Sequence, residues 1–136
     1  MDLISTHEDI DEYYPVPRRS ISLMFNMRST DVPLGLPFNL ASYGILLEIL
    51  GKIVNMVPDE LIANLGDTHI YKNQIDGIKE QLTREPYKLP KLIHHKTDEF
   101  YKSLSEGFSL ITHLDKTDFT IDKYQSHPTI EIPLSN

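Results

Sequence analysis

The chain contains no cysteine in its 136 residues. Disulfides, thiolate metal sites and covalent catalysis through a cysteine thiolate supplied by this chain alone are therefore excluded. Cations are in the minority. Lys and Arg number 13 against 20 Asp and Glu, giving a formal charge of −7 and a pI of about 5.2, a field that repels nucleic acid and anionic membrane surfaces. Any anion must be held by local basic groups. No apolar run reads as long enough to span a bilayer, and the start Met1-Asp-Leu-Ile-Ser-Thr-His-Glu-Asp9 is acidic where a signal peptide is basic. A cytoplasmic chain is the simplest expectation, although a piece of a longer protein would look the same. Repeats and low-complexity tracts are absent too. No metal site is expected: His94 and His95 are adjacent and point apart on a strand, and no carboxylate follows at ligand spacing.

What is present is foldable material. The hydrophobic share of 40% and charged share of 24% are those of an ordinary globular chain, and the length suits one domain. A single domain over 1–136 is expected, with 1–17 a polar lead-in. Within that lead-in Ser5-Thr-His-Glu8 reads as a capping box, and His7, like His113 and His127, as a surface or turn residue. Arg19 to Arg28 alternates Ile21, Leu23, Phe25 and Met27 with Ser20, Ser22, Met24 and Asn26, the period of a strand. Phe38 to Val57 places Leu40, Tyr43, Leu46, Leu47, Leu50, Ile53 and Val54 at helical spacing. Glu60 to Tyr71 reads as a strand bent at Gly66-Asp67, Asn73 as the cap of a helix running to about Glu85, and Leu89 to Ile93 as a short strand. His94 to Ser109 suggests a helix, and Phe119–Tyr124 and Thr129–Ile132 two closing strands. The fold class is α+β: a mixed, mainly antiparallel sheet with one long core helix and shorter ones.

The stretch Met27 to Tyr43 organises the rest. Pro33 and Pro37 each remove a donor and fix φ, so a stiff loop is expected that neither continues the strand nor starts a helix before Phe38. Polar ligands suit the helix N-terminus that follows. Taken as isolated residues, Arg28 reads as solvated or ion-paired, Asp31 as a turn residue, Asn39 as an N-cap, and His69 with Tyr71 as packing on one strand face. The pair Arg18-Arg19 is a basic patch or a solvated strand start.

Together the residues say more. Arg28-Ser29, Asp31, Leu34-Gly-Leu-Pro-Phe-Asn-Leu-Ala-Ser-Tyr43, Gly66-Asp-Thr-His-Ile-Tyr-Lys-Asn73, Arg84-Glu-Pro86, Asp118-Phe119, Tyr124 and His127-Pro128 resemble, in order, the C-terminal half of thymidylate synthase. The resemblance covers about 20 to 132. It implies reductive methylation of deoxyuridylate (dUMP) to dTMP with methylene-tetrahydrofolate as donor and reductant, begun by a cysteine thiolate adding to the uracil ring. By that resemblance Arg28 and Ser29 meet the nucleotide phosphate, and Asn39 reads the uracil edge. His69 and Tyr71 bond the sugar 3′-hydroxyl, and Asp31 and Gly35 meet the folate. Where a histidine is common, Gln74 stands without an implied role.

The departures are as informative. The family's upstream half, with its nucleophile, has no counterpart in these residues, so no catalytic residue is assigned and the chain alone is expected to be inactive. Met27 replaces a usual glutamine, and the chain ends Pro133-Leu-Ser-Asn136 rather than in an apolar tail. Three readings follow: the C-terminal portion of a thymidylate synthase working with a complementary N-terminal half, a non-catalytic nucleotide-binding module, or a degenerate fragment that self-associates as the family's homodimers do.

Overall fold

A computed structural model of the chain describes residues 17–105 and 111–135. The Ser5–Glu8 capping box and His7 lie outside the described residues, as does the end of the helix expected to reach Ser109. Strand β1 is Ser20–Asp31, helix α1 Gly35–Ile53 and strand β2 Val57–His69. A 3-10 turn at Lys72–Gln74 leads into helix α2, Ile75–Gln81. Strand β3 (Lys91–His94), helix α3 (Asp98–Ser105) and strand β4 (Phe119–Asp122) complete the order.

The mixed α and β composition matches the expectation, but the sense of the long strand pair does not. β1 and β2 run parallel, from Ser20 opposite Val57 to Asp31 opposite His69. Only the short pair β3 and β4 is antiparallel. The cause is the intervening helix: α1 carries the chain back to the starting end of β1, as a crossover to a parallel strand requires. The register shift falls between Ile21 and Leu23, not at Gly66, where β2 runs through unbroken.

Two boundaries move for one reason. β1 continues to Asp31, and α1 begins at Gly35, three residues before the expected limit. Pro37 falls in the first helical turn, where its missing N–H would have no partner anyway. The stiff loop shrinks to the turn at 32–34. Asn73 lies inside the 3-10 turn rather than capping a helix, and α2 stops at Gln81. Thr129–Ile132 forms no strand. That segment is an extended strap across α2: Arg84 Nη1 donates to Pro128 O (2.6 Å), and a Cβ on Gly77 would come 2.8 Å from the Ile132 side chain.

α1 turns one face inward. Tyr43 stacks on Phe25 of β1 with ring centroids 4.0 Å apart, and Ile49 and Ile53 join Tyr101 and Leu104 of α3 in a buried cluster. On the face turned away from it Phe38 is 76% exposed and Ile45, two turns on, is exposed as well, while Leu40 is exposed elsewhere on the helix. By length and composition this 19-residue helix, of mean hydropathy 1.2, would reach across a bilayer, which corrects the reading that no apolar run is long enough. Its contacts are with β1, β2 and α3, and it carries Glu48 and Lys52.

A half-buried histidine borders this cluster. His94 Nδ1 bonds the Tyr101 hydroxyl at 2.8 Å, and its Nε2 is buried with no partner among the described residues. Burial, and then nearby Lys52, hold His94 below its ordinary 6.5, against the opposing pull of Glu48 and Asp98. The unfolded chain therefore takes up this proton first as pH falls. Stability present above pH 6.5 is lost as the pH drops from there toward the lower folded value. Thermal melts at pH 7.5 and 5.5 are expected to show a drop that His94→Gln reduces; an unchanged drop in the variant contradicts this assignment.

Candidate functional site

The C-terminal ends of the two parallel strands and the start of α1 bring most of the predicted residues to one edge of the fold. Asp31 lies opposite His69 in the β1–β2 register, and the Val32 N–H donates to the His69 carbonyl at 3.2 Å. The turn then doubles back, so that the Leu34 N–H donates to Asp31 Oδ1 (3.4 Å) and a Cβ built on Gly35 would lie 3.7 Å from that of Asp31. One helical turn later Asn39 donates from Nδ2 to the Gly35 carbonyl at 2.8 Å. This corrects the N-cap reading of Asn39. The side chain lies within α1, and the residue before the helix is Leu34, which makes no side-chain cap.

Gly35 is not demanded by the chain's own packing. The nearest atoms to a Cβ there are at 3.7 and 4.0 Å, ordinary contact distances.

His69 and Tyr71 pack ring edge to ring face with centroids 5.0 Å apart. Tyr71 is beyond the end of β2, so the two share a contact rather than one strand face. The His69 Nδ1 lies 3.1 Å from the Asp67 carbonyl oxygen. A carbonyl only accepts, so Nδ1 carries the hydrogen, and in the neutral ring Nε2 is left as an acceptor.

Arg28 and Ser29 sit just upstream on β1, both exposed. Ser29 lies opposite Asp67. Among the described residues Arg28 forms no ion pair with a carboxylate, so none of them engages its guanidinium.

One residue at this edge was given no role by sequence reasoning. Gln74 is completely buried. Its Oε1 accepts from the Tyr71 N–H at 3.0 Å, and its Nε2 donates to Asp31 Oδ2 and to the Pro133 carbonyl, each at 3.3 Å. Its neighbours Lys72 and Asn73 are polar, so the local sequence carries no sign of this burial. Its amide partners Asp31 and Pro133 are distant in sequence.

A separate open cleft of about 560 Å³ lies between Lys88, Leu89, Lys91 and the 122–125 segment, and none of the predicted residues lines it.

The sequence profile described as thymidylate synthase matches residues 1–136. Thymidylate synthase of Saccharomyces cerevisiae is 43% identical over 115 residues, covering 85% of this chain and 34% of its own length. That of Pseudomonas syringae pv. tomato is 36% identical over 126 residues, covering 91% and 39%. The crystal structure of thymidylate synthase from phage T4 superimposes with a TM-score of 0.75 at 39% identity, over 88% of this chain and 42% of that one. The chain thus spans between a third and somewhat over two fifths of the length of these relatives. With a family profile matched from end to end and the fold shared with a solved member, this chain belongs to the thymidylate synthase family.

Proposed function

We propose that the chain supplies the nucleotide-binding part of a thymidylate synthase. In this reading Arg28 and Ser29 take the phosphate of dUMP and Asn39 the uracil edge. His69 and Tyr71 take the sugar 3′-hydroxyl, and Asp31 and Gly35 meet methylene-tetrahydrofolate. Reductive methylation to dTMP then requires the cysteine-bearing remainder of the family fold, in the cytoplasm. The observation that carries the reading is the convergence at one edge of Asp31, Gly35, Asn39, His69 and Tyr71, with Arg28, which pairs with no carboxylate among the described residues, on the adjoining strand.

The chemistry follows from the contacts. An arginine already paired with a carboxylate would have to break that pair to bind phosphate, whereas Arg28 does not. The Nε2 edge of His69 is left for a hydroxyl partner, and the Tyr71 hydroxyl can donate or accept beside it. Folate, if bound, supplies the one-carbon unit and the hydride; Asp31 offers its ring donors a carboxylate, and Gly35 leaves room for the ring.

Calorimetric titration of the full chain with dUMP is expected to give measurable heat at millimolar ligand. Arg28→Ala should weaken that binding about 10- to 100-fold, since a charge-assisted contact contributes about 1.5–3 kcal/mol. No heat from the unaltered chain would overturn the reading. Gly35→Ala separates site from fold: a Cβ there meets nothing closer than 3.7 Å, and alanine stabilises a helix by up to about 1 kcal/mol over glycine. Its melting temperature is expected to hold or rise while folate binding falls. A folate affinity equal to that of the unaltered chain would remove Gly35 from the site.

A further inference from the structure

We infer that Gln74 is a positioning residue that sets the Asp31 carboxylate and the Tyr71 backbone with one carboxamide, tying the folate side of the site to the nucleotide side. The inference rests on the proposed assignment of Asp31 and Tyr71 to the two ligands. Its geometry stands apart from that assignment.

The side chain is fully buried, and each of its polar atoms is used. Oε1 accepts from the Tyr71 N–H, which fixes the turn that presents the tyrosine ring to His69. Nε2 divides its two hydrogens between Asp31 Oδ2 and the carbonyl of Pro133 in the strap. Asp31 is thereby held at both oxygens, by Gln74 on Oδ2 and by the Leu34 N–H on Oδ1. A carboxylate gripped on both sides keeps a fixed plane, and a ligand with two adjacent N–H donors needs that plane to be set in advance.

A carboxamide is suited to this place because it donates and accepts from the two ends of one rigid group. Glutamate would keep the acceptor for Tyr71, lose both donors, and set a second negative charge against Asp31. Leucine would lose every contact. The roles of the two ends can therefore be separated by substitution.

Amide hydrogen exchange on the full chain reads both ends without any ligand. Gln74→Glu is expected to retain the protection of the Tyr71 N–H but lower that of the Leu34 N–H at least 10-fold, because Asp31 is no longer held. Gln74→Leu should lower both. Gln74→His, a ring with one donor and one acceptor, should restore part of the Leu34 protection lost in Gln74→Leu. If Leu34 protection is unchanged in both Gln74→Glu and Gln74→Leu, the inference is overturned, whatever the chain binds. Calorimetry with dUMP and with tetrahydrofolate then tests the ligand assignment separately. Gln74→Glu should leave the dUMP affinity within about 3-fold and reduce the tetrahydrofolate affinity at least 10-fold. Equal losses of both, as general loosening would give, also overturn the positioning role. If the unaltered chain binds neither ligand, the proposed function falls, and the exchange pattern still decides what Gln74 does.

Discussion

Mixed with a polypeptide carrying the cysteine-bearing remainder of a thymidylate synthase, the chain is expected to pass from no detectable dTMP formation to turnover. The size of that change follows from the chemistry. Addition of a thiolate to the uracil ring opens the reaction, and these 136 residues contain no thiol. Loss of a nucleophile from a concerted set lowers kcat by about four to six orders of magnitude, far more than loss of one binding contact. The exposed apolar side chains of α1 give the two pieces a reason to associate, because Phe38 and Ile45 on its outer face gain by being covered. Two controls define the result. Arg28→Ala in this chain should reduce the restored activity mainly through a higher KM for dUMP. The nucleophile replaced by alanine in the other piece should abolish it. Co-elution of the two pieces with no dTMP formed would end the enzymatic reading.

Much of this architecture is legible from residue order, and the exceptions share a cause. Alternation along Ile21, Leu23, Phe25 and Met27 gives β1, and the spacing of Leu46, Leu47, Leu50 and Ile53 gives α1, because both patterns record burial against a neighbour in the fold. The direction of the β1–β2 pair is not written in either strand. It depends on the helix between them, and a reading made strand by strand misses it. Pro37 illustrates a second limit: the same residue ends a helix or fits inside its first turn, and the preceding chain decides which. Asn39 reads as a cap until the helix is seen to start four residues earlier. For the candidate site, Arg28, Asp31, His69 and Tyr71 are singled out by their motifs. Gln74 is invisible there, since its partners Asp31 and Pro133 lie 43 and 59 residues away.

Gly66→Val is expected to have the largest effect on the fold, and with it on the site. The position lies in β2 alongside β1, where a Cβ would come 2.5 Å from the Arg28 carbonyl oxygen and 2.9 Å from that of Met27. Both are backbone atoms in a strand, so neither can swing aside as a side-chain tip would. Relief requires the strands to part, and the rungs that follow, Ser29 opposite Asp67 through Asp31 opposite His69, part with them. A loss of about 3 kcal/mol or more is expected in denaturant unfolding, in the range reserved for a named packing failure. Gly66→Ala should approach it, because the clash begins at Cβ. Gly44→Ala is the matched control: within α1 a Cβ there has nothing within 4 Å, so it should be neutral or stabilise by up to about 1 kcal/mol. If Gly66→Val unfolds within about 1 kcal/mol of the unaltered chain, the close approach of the two strands is not what Gly66 serves. The rigid spacing from Arg28 to His69, on which the nucleotide reading depends, would then need another source.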